Sequence, residues 1–114
     1  MIDKAKIKKI IEEREALFSD DPRINEYWNV LTEELTNSEE ETIEFLCQCD
    51  EHDIYWLSEV FDDISEVLQS QKFIDTIKNL QAKYPNVNME PDIFFAELAM
   101  QQNNSDKGKD ERNE

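Results

Sequence analysis

With 114 residues, 28 acidic against 12 basic side chains and a formal net charge of −16, the chain can bury one core without staples. Its field repels nucleic acid and anionic membrane and attracts cationic surfaces, which excludes direct DNA, RNA or lipid binding as a leading role. The only glycine, Gly108, lies near the end of the chain, so no glycine-rich phosphate loop or dinucleotide turn can form before it.

Ile7, Ile10, Ile11, Leu17 and Phe18 recur near helical spacing and predict a first helix from Asp3 to about Phe18. Lys4, Lys6, Lys8 and Lys9 are followed by no continuous apolar segment, which argues against a signal peptide. Ser19-Asp20-Asp21-Pro22 then stops the chain and restarts it, with Asp21 as N-cap and Pro22 in the first turn. The second helix, to about Leu35, buries Ile24, Tyr27, Trp28, Leu31 and Leu35. Ser38 and Glu41 form a capping box at the head of a third helix, where Glu39, Glu40 and Glu41 complement the dipole. Ile43, Leu46 and Cys47 are its inward stripe, with Phe45 at the edge.

Asp50 caps the next helix, and the stretch Ile54–Ser70 organises the rest of the chain. One stripe is apolar: Leu57, Val60, Phe61, Ile64 and Leu68. Opposite it lie Glu59, Asp62, Asp63 and Glu66, with Tyr55 on the same side. Between Arg23 and Lys72 there is no lysine or arginine, so these acids lack the i,i+4 partners that normally lace an exposed helix. A solvated face is the plain alternative. Unrelieved repulsion beside an exposed aromatic instead marks Tyr55, Glu59, Asp62, Asp63 and Glu66 as the candidate partner-binding residues.

Ser70 caps a helix that buries Phe73, Ile74, Ile77, Leu80 and Tyr84 and stops at Pro85. Asn86 to Glu90 reads as a loop, with a short strand over 84–88 as the alternative. Pro91 starts a last helix to about Gln101, apolar around much of its circumference through Ile93, Phe94, Ala96, Leu98 and Met100, and expected to pack deeply. Residues 102–114 contain no apolar side chain and read as a disordered polar tail. The expectation is an all-α fold, a compact bundle of about six short helices forming one domain over 1–101.

Chemistry is sparse. Cys47, Cys49, Asp50, His52 and Asp53 crowd together, but a structural zinc site needs ligands from a second segment, so no metal or cofactor is expected. A nucleophilic pairing of His52 with Cys47 or Cys49 ranks below a capped, solvated link, and the chain reads as a non-enzyme. Cysteines two apart on a helix point away from each other, which disfavours a disulfide. Free thiols and the lack of a membrane-length apolar run place the protein in the cytoplasm.

The segment Trp56–Glu97 combines an LSEVFDDI helix, a helix ending in Lys83-Tyr84-Pro85, and a helix carrying Asp92-Ile93 and Ala96-Glu97. In these elements, over somewhat more than a third of the chain, it resembles small helical immunity proteins of bacterial contact-dependent inhibition and polymorphic-toxin systems. The resemblance implies an antitoxin that binds the C-terminal domain of a cognate toxin, often a nuclease with a basic cleft. A cytosolic adaptor docking on a basic protein is the alternative from another functional class.

Overall fold

Four helices begin where a short polar side chain takes over the first free backbone N–H groups. Asp3, Ser38, Asp50 and Ser70 are extended residues whose side chains accept from the N–H of Lys6, Glu41, Asp53 and Phe73. They open α1 (Lys4–Glu15), α3 (Glu39–Gln48), α4 (Glu51–Leu57) and α6 (Gln71–Lys83). α2 (Ile24–Glu34) and α5 (Phe61–Leu68) start without a side-chain cap, and α7 occupies 90–100. This computed structural model describes residues 2–100, within which all regular structure is helical. The polar tail expected over 102–114 lies outside the described residues.

α1 packs against α2 and α4, and α3 packs against α6. Apolar side chains from all seven helices meet in one cluster, with Phe61 and Phe73 edge-to-face at its centre, 5.9 Å between rings. The stripes expected from Leu57 to Ile64 and from Phe73 to Leu80 are buried as read.

Four local expectations need correction. α1 ends at Glu15, three residues early, and Phe18 is 83% exposed rather than part of the stripe. Asp21 is not an N-cap: its carboxylate accepts from the N–H and guanidinium of Arg23, folding a turn before α2 starts. α3 is rotated so that Thr42, Phe45, Leu46 and Cys49 face inward and Cys47 is exposed. Burying Thr42 is tolerated because its hydroxyl donates to the Leu35 carbonyl at 2.6 Å. Finally, α7 does not pack deeply all round: Ile93 and Ala96 are buried, while Phe94 and Phe95 are more than half exposed.

The central helix is also interrupted. Ser58–Val60 is a 3-10 turn, and the Ser58 hydroxyl donates back to the Tyr55 carbonyl at 2.6 Å. Three residues at 3.0 per turn rather than 3.6 rotate α5 by about 60° relative to Tyr55. α5 then ends at Gln69, held in the left-handed region at φ 48°, ψ 50°. Beyond α6, the loop over 84–89 closes around a side chain and not as a strand. Gln81 Nε2 donates to the carbonyls of Val87 and Tyr84, and its Oε1 accepts from the Met89 N–H.

Candidate functional site

α5 and α7 run side by side in the same direction. The Ser65 hydroxyl donates to the Ala96 carbonyl at 2.6 Å, Gln69 Nε2 reaches the Ala99 carbonyl at 3.5 Å, and Asp62 stands close enough to Asp92 to repel it. On the other side of α5, Asp63, Glu66 and the half-exposed Val67 line a shallow depression with Asn29, Thr32 and Glu33 of α2. The outward surface of α5 is therefore a strip of carboxylates bordered by two helices. Among the described residues none of Asp62, Asp63, Glu66 and Asp92 has a cationic partner. Burial, followed by the nearby charges of Asp62 and Glu66, pushes the Asp63 carboxyl above its ordinary value. Burial and then Asp62 do the same to Asp92.

The five candidate residues do not form one constellation. Asp62, Asp63 and Glu66 share the strip, but Glu59 is turned inward by the 3-10 segment. Its two oxygens take a bidentate pair from Arg14, Oε1 from Nε at 2.9 Å and Oε2 from Nη2 at 2.7 Å. Oε1 also accepts from the indole N–H of Trp28 at 3.0 Å. Tyr55, before the break, is half-exposed with its ring edge-on to Trp56. Asp92 and Arg14 are the residues that sequence reasoning missed. Arg14 sits on the stripe Ile7, Ile10, Ile11, Arg14, and a cation at that spacing among isoleucines is itself a signal for an internal carboxylate.

The chain matches no family model, no curated protein and no solved structure. The site must therefore be read from its own chemistry.

The second cluster, at the head of α4, is internally satisfied. Asp50 caps Asp53, whose Oδ1 accepts from Lys8 Nζ at 2.9 Å and from His52 Nδ1 at 3.0 Å. His52 Nε2 meets Glu15 at 3.0 Å, and the two carboxylates, Asp53 first, raise the imidazole's pKa. Ligand atoms of Asp50, His52 and Asp53 lie within 4.8 Å of one another, but these contacts link α1 to α4 and neither cysteine joins them. Cys49 donates to the Phe45 carbonyl, and burial pushes its thiol up to about 12, which keeps it protonated at neutral pH.

The raised Asp92 pKa has a consequence for stability. An acid with a raised folded-state pKa binds extra protons in the folded state. Its stabilising contribution is full below the unfolded value and is lost as pH rises through the folded one. Asp92→Asn removes that loss. The variant is expected to melt at higher temperature than the parent at neutral pH, with the gap closing as pH falls towards about 4. Equal melting curves at neutral pH would show that neither burial nor repulsion makes the charged Asp92 a net cost to the fold.

Proposed function

We propose that this chain is a non-catalytic inhibitor that neutralises a cationic protein domain by covering its basic surface, acting in the cytoplasm. The observation that supports the reading most is the strip formed by Asp62, Asp63, Glu66 and Asp92. Its like charges converge with no cation among the described residues to offset them. A basic surface placed against this strip relieves a repulsion that folding alone leaves standing, and the −16 field accelerates its approach. The resemblance of Trp56–Glu97 to immunity proteins supports a more specific form of the proposal: the partner is the C-terminal domain of a cognate toxin, and a nuclease cleft has the right charge. Glu59 contributes indirectly by holding the 3-10 segment in place, and the half-exposed Tyr55, before that segment, offers a separate aromatic contact. No helix among the described residues is long and apolar enough to cross a membrane.

The test is an affinity capture from the source cells with the tagged chain and with a variant carrying Asp62→Lys, Asp63→Lys and Glu66→Lys. One cationic protein retained by the parent at moderate salt and lost from the variant, with affinity reduced by roughly 100-fold, is the expected result. Equal retention by both forms removes the strip from the interface. Capture of nothing by the parent removes the inhibitor reading.

A further inference from the structure

α7 has two apolar faces, and the fold uses only one. Ile93 and Ala96 are buried in the core, and Met100 packs against it. On the opposite side, Pro91, Phe94, Phe95 and Leu98 follow the i, i+3, i+4, i+7 spacing of a helix that docks on another helix. Phe94 and Phe95 are 56% and 54% exposed, with their rings 5.5 Å apart and inclined at 69°. Two adjacent aromatic rings left in water on a regular helix are a recognition feature more than a packing accident.

Charge identifies what covers them. The edge of this face towards α5 carries Asp92 and, beyond it, Asp62, Asp63 and Glu66. The edge towards α6 differs in already holding a cation: Lys78 Nζ pairs with Glu97 at 2.8 Å and also lies near Asp75, with Glu90 as a further acid there. The tail over 101–114 has no apolar side chain with which to displace water from the rings. A second copy would bring two chains of net charge −16 together along their acidic edges. Complementarity to both features requires an apolar ridge with cations along one flank.

We propose that the outward face of α7, Pro91, Phe94, Phe95 and Leu98, is a docking surface for an amphipathic helix whose lysines and arginines lie along the flank that meets α5. The inference rests on the reading of the acidic strip for its charge. It adds an apolar anchor and a partner conformation that the strip alone does not specify.

Three synthetic peptides of roughly 18 residues, long enough to be helical, test this against the full chain by fluorescence anisotropy. The first carries leucine at i, i+3, i+4 and i+7 with lysine and arginine elsewhere. The second has the same composition with its leucines scattered, and the third is oligo-arginine. The striped peptide is expected to bind about tenfold more tightly than the scattered one. Phe94→Ser with Phe95→Ser is expected to erase that advantage while leaving oligo-arginine binding unchanged. Phe94→Leu with Phe95→Leu is expected to keep most of it. Equal affinities for the striped and scattered peptides overturn the α7 surface and leave the charge reading standing. Retention of the advantage by the serine variant does the same. Failure of all three peptides to bind overturns the charge reading and, with it, this proposal. Concentration-dependent dimerisation lost in the serine variant overturns the choice of occupant, because a second copy then covers the face.

Discussion

Glu59→Gln is expected to lower the free energy of unfolding by about 2 kcal/mol, the scale of losing charge-assisted hydrogen bonds in a part-buried ion pair. Arg14 is 7% exposed, and its guanidinium lies 4.9 Å from the centre of the Trp56 ring, while Glu59 is partly open to solvent, so water replaces the lost carboxylate only in part. Glutamine fills the same space but offers one oxygen where Glu59 offers two. Its amide nitrogen would face Arg14 or Trp28, donor against donor. Reversal of Asp62 and Asp63 to lysine is expected to cost much less, within about 1 kcal/mol of the parent, since relief of the repulsion among the acids offsets the favourable first-turn dipole interaction that is lost. Urea unfolding of the two variants separates these outcomes. A Glu59→Gln midpoint equal to the parent's would mean that the Arg14 pair contributes nothing to the fold.

The second large effect is expected at Phe61. It is fully buried, it is the first residue after the 3-10 turn, and its ring edge meets Phe73 across the α5–α6 contact. Truncation to alanine removes that ring contact and opens a cavity, which places the loss at about 3–5 kcal/mol. Phe61→Leu keeps most of the volume and should lose no more than about 1.5 kcal/mol. In a domain whose total stability is of order 5–15 kcal/mol, the alanine variant is expected to melt far below the parent or to be unfolded at room temperature. A shift of less than about 1 kcal/mol in chemical unfolding would contradict the assigned packing.

The helical architecture was legible because the relevant rules are local. Ser38, Asp50 and Ser70 each precede an apolar-periodic run, and each caps the helix after it. The inward face of α6 could be read directly from Phe73, Ile74, Ile77 and Leu80. The features that escaped depend on neighbours. No glycine or proline marks the break at Ser58–Val60, and the grouping of Glu59 with Asp62 assumed an unbroken wheel. The face of α3 was misjudged by one position because Ile43 outranks Thr42 in hydrophobicity. A threonine whose hydroxyl finds a carbonyl seven residues back is nevertheless a good core residue. On α7 the apolar circumference was evident, yet a helix with neighbours on one side only cannot bury all of it. Of the candidate site, Asp62, Asp63 and Glu66 were legible as an unpaired strip. Asp92 was not, because it joins them across the α5–α7 contact from thirty positions further along the chain.

The two tryptophans of the chain converge on one node. The Trp28 indole N–H is bound to the Glu59 carboxylate, and the Trp56 ring lies beside the Arg14 guanidinium held by that same carboxylate. The protein therefore carries its own optical gauge of the junction between α1, α2 and the 3-10 turn. Its ultraviolet emission reports whether that junction is assembled, while the phenylalanine-bearing surface of α7 stays spectrally silent, free to be labelled with an external dye without interference from within.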